Sequence, residues 1–212
     1  MCVILIKQAG KLLTPHFYDM VKASTINNPH GSGFMWWQKD QGIYLSKGYW
    51  PATRNALAAD IENLDIKLDD VLVVHSRIAT SGKKDVENMH PFVVTENKDE
   101  KNMECTYTEE PCLAHNGVIS EFSKDGPHSD TYLFTSFLAK HKILKSLKSI
   151  NWLSEHIGAN KLAIINPKMG LIRLGKWEKD EGYWVSNTYY KWAIASIKSN
   201  VPINELDYET YD

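Results

Sequence analysis

Cysteine stands at the second position of this 212-residue chain, one step ahead of an apolar run, Val3-Ile4-Leu5-Ile6. Cysteine is small enough for an initiator methionine before it to be trimmed. Trimming would leave Cys2 with a thiol and a free α-amino group on one carbon, so that a nucleophile and its proton acceptor share a residue. The plainer alternative is a small buried apolar side chain. A second stretch, HSRIATSG over residues 75–82, delivers Arg77 from a strongly apolar run into a turn of Thr80, Ser81 and Gly82, and NMHPF follows at 88–92. A guanidinium fork matches a carboxylate in two-point geometry, which makes this turn a candidate anion receptor. Pairing of Arg77 with one of the protein's many acids is the competing reading.

A third stretch, LAHNGVI over 113–119, interrupts an apolar run with Asn116 and Gly117, two residues disfavoured inside strands. An Asn side-chain amide beside a free glycine N–H is a natural pair of oxyanion donors. A β-bulge would explain the same interruption. In the fourth, HSDTYLF over 128–134, Asp130 sits where a helix should begin. It is a candidate for holding a cation, or simply for compensating the helix dipole.

These residues need a scaffold that brings chain-distant segments together. Strand-like runs are read over 3–7, 33–37, 43–47, 71–79, 92–95, 112–119, 161–166, 171–174 and 183–186. Several are apolar at consecutive positions, as in Val71-Leu72-Val73-Val74, which suits strands covered on both faces. Helices are predicted over 15–27 behind Thr14, 54–64 behind Thr53, 130–144 behind Ser129, and 150–157 before Gly158. Residues 97–110 are charged and weakly patterned, and read as an excursion between strands. Adjacent Trp36 and Trp37 should point to opposite faces of their strand. Strands in two groups with helices between them predict an α+β layered fold of two sheets flanked by helices.

Composition narrows the function classes. A net charge of −2 gives no footprint for nucleic acid. No apolar stretch approaches bilayer length, and the first residues lack the basic segment of a signal peptide, so a cytoplasmic protein with no membrane partner is expected. Three cysteines (Cys2, Cys105 and Cys112), without a paired-ligand spacing, favour neither a disulfide framework nor a zinc site. His75, His90 and His115 flank the candidate site, but their spacing fits no tight metal set, and no metal or cofactor is expected. Tyr189, Tyr190 and Trp192 read as ordinary packing or, less simply, as an aromatic patch, and the acidic tail over 204–212 as a solvated end.

In this order the motifs resemble the class II glutamine amidotransferases, glutaminase domains of the N-terminal-nucleophile (Ntn) hydrolase superfamily. Members commonly read MCGI, HTRWATHG, NAHPF, VHNG and SDT or TDT where this chain reads MCVI, HSRIATSG, NMHPF, AHNG and SDT. NPHGSGFMW at 28–36 resembles the N-P-D-G-x-G element of the stand-alone members. LAIINPKMGLIRLGK and YWVSNTYY resemble the closing hairpin and last strand. The likeness covers nearly the whole chain as one domain, 1–212, and departs at Val3, Ile78 and Ser81, where glycine, tryptophan and histidine are usual. It implies a four-layer αββα sandwich of two mainly antiparallel sheets, the Ntn-hydrolase fold. It also implies an enzyme that hydrolyses the side-chain amide of glutamine through a thioester on Cys2. Arg77 would take the α-carboxylate, Asp130 the α-ammonium, and backbone groups of Thr80, Ser81 and Gly82 would finish the pocket. Asn116 and Gly117 would hold the oxyanion. Ammonia would pass to a separate synthase partner; the alternative is a free-standing amidohydrolase of γ-glutamyl amides, and a non-catalytic binding module is a third reading.

Overall fold

The computed structural model describes residues 1–123 and 125–198, so the acidic tail lies outside the described residues. Eleven strands in two antiparallel sheets and six helices are laid down in the order β1 (Val3–Lys7), α1 (Pro15–Asn27), β2 (Ser32–Gln38), β3 (Gly42–Tyr49), α2 (Arg54–Asn63), β4 (Val71–Ser76), β5 (Phe92–Val93), α3 (Lys98–Asn102), β6 (Cys105–Thr108), β7 (Cys112–Asn116), α4 (Asp130–Lys140), α5 (Leu147–His156), β8 (Lys161–Asn166), β9 (Gly170–Leu174), β10 (Glu178–Asp180), β11 (Tyr183–Val185) and α6 (Lys191–Lys198) among the described residues. The larger sheet runs β10-β11-β1-β4-β2-β3-β6 and the smaller β5-β7-β8-β9. Among the described residues no helix is long and apolar enough to cross a membrane.

Three apolar cores stack these elements. Val3, Leu5, Phe34, Trp36, Leu72 and Val74 pack one face of the large sheet against α1, α2 and α6. Ile4, Ile6, Met35, Val71 and Val73 pack its other face against Val93, Cys112, Ala114, Ala163 and Ile165 of the small sheet. The far face of the small sheet, through Leu113, Leu162 and Ile164, meets Phe134 and Leu138 of α4 and Ile150 and Leu153 of α5. Trp36 and Trp37 accordingly fall on opposite faces, one in the first core and one against the second. In β1 every side chain is buried, and burying Val3, Ile4, Leu5 and Ile6 contributes about 1.5–3 kcal/mol each. The strand that carries Cys2 is therefore firmly held.

Several boundaries differ from the sequence reading. The run over 112–119 stops as a strand at Asn116, because Gly117 takes φ +146° and leaves the ladder. The run over 71–79 stops at Ser76, where Arg77 turns away to pair with Gly31. The helix read over 130–144 ends at Lys140, since Lys142 has φ +52° and a separate 3₁₀ turn follows. α5 starts three residues early, at Leu147, because Ser146 Oγ caps it by accepting from Ser149 N at 3.2 Å. The Thr14 and Thr53 hydroxyls do not cap their helices: Thr14 Oγ1 accepts from Tyr183 Oη at 3.1 Å, and Thr53 Oγ1 from Trp50 N at 2.8 Å. The supposed excursion over 97–110 contains α3 and the edge strand β6. Tyr190 is fully buried and donates to Asp180 Oδ2 at 2.6 Å, whereas Tyr189 and Trp192 lie half exposed.

Candidate active site

Strand register assembles the site. Val3 pairs with Ser76, so the residue before β1 and those after β4 must lie side by side. Cys2 Sγ accepts from Ile78 N at 3.4 Å and donates to Ile78 O at 3.4 Å. Burial pushes the Cys2 thiol above its ordinary pKa, against a smaller downward pull from the Ile78 N–H and the Arg77 charge. The thiol is thus held protonated and needs a base to become a nucleophile. Both flanking carbonyls are anchored: Asn187 Nδ2 donates to Cys2 O at 2.7 Å, and Asn28 Nδ2 to Met1 O at 2.8 Å.

Arg77 is 2% exposed. Nη1 donates to Lys83 O at 2.9 Å and Nη2 to Ser81 O at 2.8 Å, which wraps its own turn around the guanidinium. Burial lowers its pKa, yet a guanidinium keeps its charge. No carboxylate is ion-paired with it among the described residues, so the competing reading of an internal ion pair is not what this side chain does. Asp130 is also buried. Its Oδ2 accepts from Ile119 N at 2.8 Å and its Oδ1 from Thr131 N at 2.7 Å, and no cation is paired with it among the described residues. The cap of α4 is supplied instead by Ser129 Oγ, which accepts from Tyr132 N at 3.2 Å. A buried cation and a buried anion that form no ion pair are costly to keep, although Asp130 and Asp85 lie near enough to favour the charge of Arg77.

Both charged residues border one small cavity with Cys2, Ile78, Thr80, Ser81, His90, His115, Gly117, Ser129 and Thr131. Its free volume is about 10 Å³, room for a single water. As it stands, the cavity is too small for an amino acid. Gly82 does not border the cavity: at φ +70° its backbone lies so close to Ser129 N that a Cβ would not fit, and it docks the turn onto the start of α4. Ser81 Oγ reinforces that dock by accepting from Asp130 N at 3.1 Å.

Asn116 ends β7. One of its two amide hydrogens goes to Ser186 Oγ at 2.9 Å, and the other is available. Ser186, fully buried, also accepts from Ile4 N at 2.8 Å, tying Asn116 to the strand that carries Cys2. Gly117 is required next, since a Cβ there would overlap the Asn160 side chain. Asn160 Oδ1 accepts from His115 Nε2 at 2.8 Å, His115 Nδ1 lies 2.8 Å from Thr131 Oγ1, and burial pushes the pKa of the ring below its ordinary value. His75 donates to His115 O at 3.0 Å, its pKa pushed down to about 3 by burial. His90 stacks on His75 with ring centroids 3.9 Å apart, and neither of its nitrogens has a hydrogen-bond partner among the described residues. No group of three or more His, Cys, Asp or Glu side chains among the described residues is arranged to hold a metal ion.

Beyond Cys2, a second and larger cleft of about 690 Å³ opens between Met1, Ile78, Asn116, Gly117, Val118 and the 156–161 segment. Cys2, Ile78, Thr80 and Gly117 border both spaces. Sequence reasoning singled out Cys2, Arg77, Thr80, Ser81, Gly82, Asn116, Gly117 and Asp130; all but Gly82 border one or both spaces. It quoted Asn28, Ser186 and Asn187 only inside longer motifs and gave them no role, passed over Asn160, and treated His90 only as a flanking residue. Besides those motifs, the signal for the first three was a polar residue at a strand or helix end, as in Val185-Ser186-Asn187 and Asn27-Asn28. Comparison with known proteins finds no family profile and no curated sequence that matches this chain.

Proposed function

We propose that this protein is an Ntn-type cysteine amidohydrolase of the class II glutamine amidotransferase kind, which cleaves the side-chain amide of glutamine. One observation carries the reading: a thiol, an unpaired buried guanidinium and an unpaired buried carboxylate from three chain-distant segments border one cavity. Two sheets stacked between helices, with the nucleophile at the first strand, agree with the Ntn-hydrolase fold. Once Met1 is removed, the α-amine of Cys2 takes the thiol proton. An α-amine titrates near ~7.7–8.0, so enough is neutral at pH 7 to act as base.

Arg77 and Asp130 hold the α-carboxylate and α-ammonium, each charge-assisted contact contributing about 1.5–3 kcal/mol. Sγ attacks the amide carbon, and the oxyanion receives the free Asn116 amide hydrogen and the Gly117 N–H, worth roughly 2.7–4 kcal/mol per donor. Collapse breaks the C–N bond, and ammonia leaves with the proton held by the α-amine. Water, deprotonated by that amine, then attacks the thioester and releases glutamate, restoring the thiol. The test is ammonia release from glutamine by the purified Met1-free protein. Cys2→Ala should abolish it without lowering the unfolding temperature; ammonia release persisting in that variant would discard the mechanism.

A further inference from the structure

We propose that the preferred substrate is an N-substituted γ-glutamyl amide whose amine carries an apolar aliphatic or aromatic group, seated in the outer cleft. The inference rests on the amidohydrolase reading above and names the substrate class of that same site. With the amino-acid end directed to Arg77 and Asp130, the acyl chain takes the place of the inner cavity, which holds a single water and must widen to admit it. With the carbonyl oxygen directed to Asn116 and Gly117, only one substituent of the carbonyl carbon is unplaced: the leaving nitrogen. It must point across Cys2 into the outer cleft, because Cys2, Ile78, Thr80 and Gly117 are common to both spaces.

Ammonia needs about the room of one water, about 10–15 Å³ in the measure that gives the inner cavity about 10 Å³, and the cleft offers about 690 Å³. Its walls carry Ile78, Val118, Ile157 and Ala159, and Val118 is 46% exposed. Of the polar residues at the cleft, Lys161 turns its ammonium onto Ser186 O, and His156 Nδ1 bonds Trp152 O at 2.7 Å. Glu121 is the acid at the cleft, and it suits the protonated amine that is released. Removal of Met1, which forms one wall, enlarges the space further. The chemistry balances without a co-reactant. The C–N bond breaks as the amine takes the proton from the Cys2 ammonium, and water then cleaves the thioester to glutamate.

The experiment compares kcat/KM of the Met1-free protein for L-glutamine, γ-L-glutamyl-n-butylamide and γ-L-glutamyl-benzylamide. Burial of the apolar amine should favour one or both amides over glutamine by about tenfold or more. Ala159→Trp fills the cleft from an exposed position outside the catalytic machinery. It should remove that preference while leaving glutamine turnover within about twofold of the parent protein. A preference below tenfold, or a glutamine preference with Cys2-dependent turnover, overturns the cleft assignment and leaves the amidohydrolase standing as an ammonia supplier. Absence of turnover with all three compounds overturns the amidohydrolase reading, and this inference with it.

Discussion

Ser186→Ala removes one oxygen and tests how the site is held. Ser186 Oγ accepts from Ile4 N at 2.8 Å and Asn116 Nδ2 at 2.9 Å, and the residue is fully buried. Alanine leaves both donors in place with no acceptor. Each stranded buried donor costs about 1–3 kcal/mol, so the loss should be about 2–6 kcal/mol. In a chain of this length that is a fall of roughly 4–24 °C in Tm. Denaturant unfolding at fixed pH measures it, and a steady-state assay of ammonia release reads the second effect. With its tether gone, the Asn116 amide loses its aim, and kcat should fall about tenfold or more, short of the roughly 10²–10³ expected for deleting an oxyanion donor outright. The double variant Ser186→Ala/Asn116→Ala should be less destabilised than the sum of its parts, because one of the two stranded donors disappears. A stability change under about 0.5 kcal/mol, the range of an uninvolved surface position, together with unchanged kcat, would refute the role given to Ser186.

Three further outcomes are expected. Gly117→Ala meets both an unfavourable φ and the Asn160 side chain, so it should lose about 1–3 kcal/mol of stability, measured by thermal melting, and most of its turnover. Arg77→Lys keeps the charge but cannot span the Lys83 and Ser81 carbonyls while forking onto a carboxylate; KM should rise roughly 10- to 150-fold, with kcat changed less. Stability should fall as pH drops below about 6.5, where unfolded histidine takes up protons. His75, with its pKa pushed down to about 3, and His90, also lowered by burial, stay neutral in the fold. The unfolded chain therefore binds more protons in that window, and each histidine contributes a slope of about 1.4 kcal/mol per pH unit. Urea midpoints between pH 4.5 and 7.5 measure it, and a flat profile would contradict the burial of this pair.

Much of the scaffold was legible because its strands are covered on both faces, and doubly buried strands such as Val3–Lys7 and Val71–Ser76 open with four consecutive apolar residues before ending in Lys7 and in His75-Ser76. Edge strands hide by the opposite logic. β6 is exposed at alternate positions, and β10 is Glu-Lys-Asp, charges that protect an open edge and erase its signature. Both were missed. The chemical residues were legible by type and order: Cys2, Arg77, Asn116, Gly117 and Asp130 sit at or just beyond the ends of strands or helices, where side chains escape the core. Ser186 and Asn28 were not, because their purpose is a hydrogen bond to a residue 70 positions away in one case and 27 in the other. Gly82 was singled out for the pocket, but it serves a tight backbone approach to Ser129 that only the folded chain reveals. Helix ends shifted for a similar reason: the Thr14 hydroxyl was drawn to Tyr183, 169 residues on, rather than to its own helix.

The central claim is that Cys2, freed at its α-amine, attacks a carbonyl held between Arg77 and Asp130. Its most direct measurement is the intact mass and peptide map of the protein after exposure to a glutamine-shaped diazomethyl ketone. The expected product lacks Met1 and carries a single adduct on the sulfur of Cys2, absent when Arg77 is replaced. Retention of Met1 with an unmodified Cys2, or labelling of Cys105 or Cys112 in its place, would contradict the account.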